Sequence, residues 1–527
     1  MLRHVQKIKV HLLCIIMVLF AMVLNAENVQ INSITEKYYE ALQLTGDAEA
    51  NSNAFAALST NEWSLRTSEH PWKEWGLDEE ETDPFFQPLN QRLLSSYNSY
   101  YPSGHNDFEA WQGAGFNIWA DGGVLLSFDE LITVTLAPRV SFSENRKYSR
   151  KDSVVGEYGY FVGGIDWPQR FGDDAYYQIT PGESEVRGHY KQLSLGIGTQ
   201  SVWMGPTQYN PLILGNNSGG FPHVDLSLSP VQTWIGEIEF TAMWGYLSES
   251  NFFDGNSKND HRYCAFLGIS YVPEIIPGLT LGVNRFTQSP MREFTVLNAF
   301  DPFTTQMSSA LGKDNKDQRA SLTADWIFPR VGFEAYVEWA RNDYSPNWRY
   351  IVRAPEHSSA YTLGFRQSIP THNQDTHLIL NAELTDLIQS RDYAIDFGTT
   401  STGGFYHHGI NRQGHTHNGQ LLAAGIGSGA DSQTLGLDWF FRRGMVGGKI
   451  VRTSRNKNYV YNQPDAGEDD IKRMNVEMLY EVSGAYWWSK NVLLELAVSY
   501  ARNINWKYEE KNDVNNVRVY LGITYNP

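Results

Sequence analysis

The stretch from Ser321 to Trp339 constrains the fold of this chain more than any other. Leu322, Ala324, Trp326 and Phe328 fall on one face, and Ser321, Thr323 and Asp325 fall on the other. Pro329 and Arg330 turn the chain. Val331, Phe333, Ala335, Val337 and Trp339 then alternate with Gly332, Glu334, Tyr336 and Glu338. Side chains of a strand alternate faces with a period of two. The pair therefore reads as a hairpin with one apolar, aromatic-ended face and one face that carries carboxylates. The same rhythm returns at 132–138, 193–198, 235–244, 266–272, 279–286, 378–384, 476–482, 492–500 and 517–525. A water-soluble sandwich produces this pattern once or twice. Repeated along an exported chain, it predicts an all-β transmembrane antiparallel barrel of roughly 16 to 20 strands, apolar toward lipid and polar toward the lumen.

The N-terminus supports export. Arg3, Lys7 and Lys9 precede an apolar run over residues 10–24, which is too short for a comfortable spanning helix. Leu24-Asn25-Ala26 is an acceptable cleavage site, so residues 1–26 read as a signal peptide. Cys14 lies inside the apolar run, not where a lipidated cysteine would sit. Cleavage lowers the basic residues from 42 to 39 against 59 acidic ones, a net charge of −20. A chain this acidic argues against nucleic-acid binding through phosphates. With Cys264 alone remaining, no intrachain disulfide forms. No other segment approaches about 18 consecutive apolar residues, so residence in a membrane requires a closed barrel, which satisfies every backbone polar group in lipid. The aromatic content of 13% suits interfacial girdles and sugar-stacking surfaces alike.

Residues 27–105 read as a mostly helical periplasmic region or plug. Ser33-Ile34-Thr35-Glu36 is a capping box, Ile34, Tyr38, Ala41 and Leu42 follow at helical spacing, and Gly46 closes the helix. A second short helix is expected over 55–65, and the acidic run 78–83 reads as a solvated face or linker. Residues 89–101 read either as a further helix or as the lead into the first strand. The barrel is placed at 106–527.

Two stretches are too polar and glycine-rich for ordinary strand. One comprises residues 165–173 and 201–223; the other is 404–420, running into 421–427. Sugar recognition needs flat aromatic faces for C–H patches and amide, acid or imidazole groups for hydroxyls. Trp203, Asn216, Asn217, Phe221 and His223 supply that mixture on one loop. The same residues fit an inward loop that constricts the pore, with Gly205, Pro206, Pro211, Gly219, Gly220 and Pro222 bending it and the asparagines bonding backbone. His407, His408, His415 and His417 lack a nearby cysteine or acidic pair, so they read as hydrogen-bonding lumen histidines; no metal or other cofactor is expected. Residues 254–260 lack the closing glutamate of a calcium loop and read as surface. Asp325, Glu334 and Glu338 line a polar lumen, with Arg319 or Arg341 as partners, more simply than they form a glycosidase pair.

Four blocks carry a resemblance: Asn106-Asp107 with Trp111-Gln-Gly-Ala-Gly-Phe-Asn117; Asp166-Trp-Pro-Gln-Arg-Phe-Gly172; Trp203-x-Gly-Pro through Asn210-Pro-Leu and Asn216-Asn217 to Gly220-Phe-Pro-His223; and Gly414-His-Thr-His-Asn-Gly419 with the glycines that follow to residue 429. In their order and spacing the chain resembles the Wzi family of capsule-assembly proteins, in its longer Bacteroidetes-type form. Met204 departs from the family, which often has a second tryptophan there, and His417-Asn418 stands where a basic residue is more usual. The resemblance implies about 18 strands with a helical periplasmic plug, in the outer membrane of a Gram-negative bacterium. It implies a surface lectin, not an enzyme, that holds exported capsular polysaccharide at the cell surface. The candidate polysaccharide-binding residues are Trp203, Asn210, Asn216, Asn217, Phe221, His223, Tyr406, His408, His415 and His417. The other expected contact is outer-membrane lipid, and the chain is expected to be a monomer. An outer-membrane porin or oligosaccharide channel is the alternative.

Overall fold

The computed structural model describes residues 31, 33–48, 70–75, 85–129, 131–150, 164–303, 316–342, 348–373, 375–390, 404–461 and 471–526. The signal peptide, the second helix expected at 55–65 and the acidic run 78–83 lie outside the described residues. Twenty-two strand segments join in one sheet. Chain neighbours pair antiparallel through most of it, and Gln91–Asn98 pairs with the last strand, Val514–Tyr525. Among the described residues no helix is long and apolar enough to cross a membrane.

The alternation read from the sequence sets the two faces. Leu322 faces outward at 51% exposure, while its neighbours Ser321 and Thr323 are buried at 2% and 6%. Leu281, Val283, Leu363, Leu435 and Leu521 are likewise exposed, and Asn284, Glu338, Thr362 and Glu383 are buried. Outward aromatics cluster near the ends of the strands. Trp326, Phe328, Phe333 and Phe365 form a chain of ring contacts near the short turns, the position of an interfacial girdle.

The sheet has more segments than the eighteen expected, and a crease explains part of the excess. Four neighbouring stretches break at one level: at 89–90, at Gly122-Gly123, at Ala137-Pro138 and at Pro181-Gly182. Pro138 has no N–H to give the ladder, which ends the run expected to continue through it. The backbones crowd at this level. A Cβ on Gly123 would lie 1.8 Å from the Leu136 carbonyl oxygen, and one on Gly182, at φ +59°, would lie 2.3 Å from that of Ala137.

The barrel also begins earlier than residue 106. Gln91–Asn98 is already wall, hydrogen-bonded to strands on both sides. Its alternation is masked in the sequence by Ser95 on the outward face and Leu94 on the inward one. Upstream, the capped helix forms as read. Helix α1 spans Ile34–Thr45, the Ser33 hydroxyl accepts from the Glu36 N–H at 3.1 Å, and Gly46 ends it at φ +80°. Tyr38, Leu42 and Leu44 pack with Trp72 against Phe440, Met445, Trp487 and Leu493 at the short-turn end of the wall. Trp72 stacks on Tyr38 with ring centroids 4.0 Å apart, and its Nε1 donates to the Phe441 carbonyl at 2.9 Å.

Truncating a buried aromatic costs about 3–5 kcal/mol, and Trp72 is the center of this contact. In Trp72→Ala, hydrogen-exchange protection of the α1 amides should fall by about a hundredfold while the wall strands keep theirs. Equal loss in both would show that α1 does not dock as a separate unit.

Candidate functional site

Four long connections fold into the lumen from the end opposite the short turns: 99–114, 164–175, 199–222 and 404–430. Charged and polar wall side chains hold them. Glu383 accepts from the backbone N–H groups of Gln208, Tyr209 and Asn210 at 2.7, 3.1 and 2.9 Å. Glu338 accepts from the Leu212 N–H at 2.9 Å. Arg262 donates to the Gly414 and Thr416 carbonyls at 2.5 and 2.7 Å, and Arg319 donates to that of Phe405 at 2.9 Å. Turns need their backbone groups satisfied when buried, and ionised partners make the stronger bonds. The wall carboxylates therefore differ in role from the expectation. Glu334 pairs with Arg366, and Glu338 binds backbone; Arg319 pairs with Asp317 at 3.0 Å.

The loops also bind one another. Met204 N–H donates to the Leu214 carbonyl, Gly215 to Leu422 and Phe108 to Asn216, at 3.1, 2.8 and 2.8 Å. Val202, Met204, Leu212, Ile213, Phe221, Leu421 and Leu422 share one apolar core with inward wall residues such as Met243 and Phe286. Two glycines permit this packing: Gly219 sits at φ +73°, and a Cβ on Gly220 would lie 1.9 Å from the Thr199 carbonyl oxygen. Loop 199–222 reaches through the lumen as far as α1, where Gln208 donates to Glu40 at 3.3 Å. Glu40 also pairs with Arg366 at 2.8 Å.

Most of the sequence-predicted site residues are inside this packing. Trp203 is buried, and its Nε1 donates to the Thr207 carbonyl at 3.1 Å. Asn216, Phe221 and His223 are buried as well, and His223 Nδ1 donates to the Phe221 carbonyl at 2.7 Å. Tyr406 is fully buried, bonded to the Leu212 carbonyl at 3.3 Å and stacked on His415 at 5.3 Å. His415 Nε2 donates to the Ile213 carbonyl at 2.6 Å, and His417 Nδ1 accepts from the Ser248 N–H at 3.1 Å. His408 is half-buried and accepts from the N–H groups of Ile410 and Asn411. Of the ten, Asn217 lines open space and Asn210, itself buried, sits at its edge. Burial drives the His417 imidazole down to about 3, and burial with the nearby Arg319 holds His415 well below the usual histidine range. Both are therefore neutral at physiological pH.

The open space is a cavity of about 460 Å³ between the loop mass and the wall formed by strands 431–454, 476–504 and 514–525. Its lining runs from Ile34 and Lys37 of α1 to Tyr148, Trp506 and Lys507 at the long-loop end. Seven flat aromatic side chains border it: Tyr101, Trp111, Tyr148, Trp167, Tyr209, Trp506 and Tyr520. Tyr101 and Trp506 stack with centroids 4.9 Å apart. Gln112, Asn217, Gln420, Asn475 and Asn503 add amides. Two ion pairs lie in the lining: Lys449 with Glu481 at 2.9 Å, and Arg455 with Glu477 at 3.2 Å. Arg518 donates to the Gln112 amide oxygen at 2.9 Å. This mixture of flat faces, amides and paired ions suits a ligand rich in hydroxyls. The aromatics come from several separate segments with no shared motif. A signal for two of them was present, since Trp111 and Trp167 stand inside the blocks of the resemblance.

Residues 105–517 match the capsule assembly protein Wzi family. The chain belongs to this family. In three dimensions it is similar to Wzi of Escherichia coli, an outer-membrane protein involved in group 1 capsule assembly and described as a carbohydrate-binding β-barrel. The two are 13% identical, the match covers 83% of this chain and 85% of that one, and the TM-score is 0.56. Pseudomonas putida OprB is 12% identical over 84% of this chain and 94% of its own, with a TM-score of 0.40. Acinetobacter baumannii OccAB1 is 11% identical over 85% and 99%, with a TM-score of 0.42. No curated protein sequence matches the chain. The chain is thus an outer-membrane β-barrel with a capsule-related function.

Two predictions test the lumen packing. Glu383→Ala leaves three N–H groups without their acceptor, that of Asn210 buried and those of Gln208 and Tyr209 half-buried, at a cost on the order of 3 kcal/mol. Protease cleavage within 199–222 should rise sharply, and unchanged cleavage would show that Glu383 does not hold the loop. The second concerns pH. The histidines are depressed in the folded state, so the packing is stable above the unfolded value near 6.5 and weakens as pH falls toward about 3. For His417 the stability lost reaches on the order of 2 kcal/mol by pH 5. Cleavage within 404–430 should rise between pH 7 and 5, and rise less in His417→Gln; identical profiles would contradict the assignment.

Proposed function

We propose that this protein binds exported capsular polysaccharide and helps attach or organise the capsule at the cell surface. The observation that carries this reading is the aromatic and amide-lined cavity, in a chain that belongs to a capsule-assembly family. Its chemistry fits sugar rings: Trp506, Trp111 and Trp167 offer flat faces, and Gln112, Asn475 and Asn503 offer donors and acceptors for hydroxyls. The carbohydrate binding described for the E. coli protein supports it at the level of the shared family. Within the predicted set, Asn210 and Asn217 are the residues we place at the ligand. Trp203, Asn216, Phe221, His223, Tyr406, His408, His415 and His417 act as the framework behind it.

The finer architecture is part of the same proposal. Joined across the crease, four collinear pairs reduce the 22 segments to eighteen continuous strands, with the pairing of Gln91–Asn98 to Val514–Tyr525 as the seam of a closed barrel. Barrels of this type have short periplasmic turns and long outer loops. That orientation puts α1 on the periplasmic side as a plug and the inward loops on the outer side. The filled lumen favours a holding role over the porin alternative, and the function needs no catalytic group or cofactor. Residues 1–26 act as a cleaved signal peptide, and a barrel that fills its own interior works as a monomer.

Two measurements test this. On intact cells, loss of the gene should leave polysaccharide synthesis in place and move glycan from the cell-attached fraction into the medium. With purified protein, Trp506→Ala and Trp111→Ala should each weaken retention on the host's surface glycan by about tenfold, equivalent to about 1.4 kcal/mol. Retention equal to that of the parent protein, in variants that still fold, would remove the cavity from the binding site.

A further inference from the structure

Residues 291–303, which follow strand Leu279–Pro290, do not enter the lumen. They leave by the outer wall. On the three strands Gly236–Ser248, His261–Pro273 and Leu279–Pro290, Met243, Cys264 and Phe286 point into the lumen core. Their neighbours Trp244, Tyr263 and Arg285 therefore point outward. All three are engaged by residues 291–303. Trp244 Nε1 donates to the Ala299 carbonyl at 2.9 Å, the Tyr263 hydroxyl to that of Asn298 at 2.7 Å, and Arg285 to that of Asp301 at 2.9 Å. Phe294 packs on the Tyr263 ring at 5.0 Å. The covering is tight enough that Tyr263, an outward residue of the wall, is only 5% exposed. Within the segment, Asn298 closes a capping box on Thr295 and donates to Asp301 at 2.8 Å, and Lys316 pairs with Asp301 at 2.9 Å. The segment is a built flap, fixed at both the backbone and the side chains.

Its other face is apolar and uncovered. Val296 is 83% exposed, Leu297 76%, Phe300 59% and Phe303 54%. Burying these side chains would be favourable in proportion to area, and a cluster of this kind marks an interaction surface. The occupant follows from its place. The flap lies on the lipid-facing side of the wall at the long-loop end, continuous with exposed Val283, Ile269 and Leu322 of the apolar belt. It also screens Arg285, a charge that would otherwise face the belt. We infer that residues 291–303 form a lipid-binding flap, which inserts Val296, Leu297, Phe300 and Phe303 into the boundary between headgroups and acyl chains of the outer leaflet. The flap would set the height of the rim above the membrane. The inference rests on the barrel's residence in the membrane and is independent of the glycan reading.

Spin labels test it directly. Single cysteines would be placed at Leu297, at Leu322 on the wall and at Lys258 in an exposed loop, with native Cys264 buried in the lumen. The full chain, reconstituted in phosphatidylethanolamine and phosphatidylglycerol vesicles, would be probed with oxygen, which concentrates in lipid, and with a water-soluble nickel chelate. The label in Leu297→Cys should favour oxygen as that in Leu322→Cys does, by severalfold over Lys258→Cys. A second label, Val296→Cys, guards against a local failure to fold, and heat-modifiable migration in detergent gels reports the intact barrel. A profile at both flap positions matching Lys258→Cys would overturn the inference. Shielding from both reagents would also overturn it, since a second copy of the chain would then cover the flap.

Discussion

The structure depends on one electrostatic arrangement: charged side chains on the inner wall serve as hydrogen-bond partners for the backbone of loops that have left the sheet. Glu383 alone takes three successive N–H groups, and Arg262 and Arg319 take carbonyls from the other loop. Irregular backbone at membrane depth is tolerated only where protein or water satisfies it. Here the wall provides that satisfaction, and the apolar core of Met204, Leu212, Ile213, Leu421 and Leu422 then assembles between the loops. Without the wall charges that core would have no fixed position. Without the core the charges would face an open pore.

The same arrangement explains why the lumen has two unlike halves. Loop 199–222 is held on one side by Glu338 and Glu383, and its far tip meets Glu40 of α1. The opposite wall, from strands 431–454 through 514–525, pairs its own charges laterally instead, as in Lys449 with Glu481. Its charged side chains reach the loops only at single points, as in Arg455 to the Ile426 carbonyl at 3.4 Å and Arg518 to the Gln112 amide oxygen at 2.9 Å, and space is left between. The cavity is the space that results, and its aromatic border comes from loop residues on one side and rim residues on the other.

Strand rhythm was the legible part of the fold. Alternation depends on nearest neighbours, and the hairpin from Ser321 to Trp339 shows it without interruption. The capped helix was legible for the same reason, since Ser33, Glu36 and Gly46 act within one or two turns. What failed to show was non-local. The crease is a contact of Gly123 and Gly182 with other strands, so the eye runs straight through Pro138. The start of the wall at Gln91 was hidden by Ser95 on the outward face and by the apolar Leu94 on the inward one. At the site, composition correctly found the glycine-rich loops but could not tell which face of each would end up packed. Trp203 and Tyr406 look like sugar platforms in sequence, yet Trp203 donates to its own loop at Thr207 and Tyr406 stacks on His415. Trp506 looks like an ordinary loop residue, and its stacking on Tyr101 joins positions far apart in the chain.

The proposed groove has a consequence for the kind of binding it would support. Lys449 and Arg455 are matched by carboxylates, so their charge contributes little and each sugar ring would be recognised by stacking and hydroxyl contacts, individually modest. A polymer changes that arithmetic. Successive units held by one chain bind as linked modules, and avidity then exceeds the affinity of any single subsite. A cavity whose lining runs from α1 to Trp506 offers several such subsites along one wall. Retention of a long glycan with ready exchange of each residue is what a capsule anchor requires, and a site of paired ions and flat rings is better suited to it than a deep, strongly charged pocket.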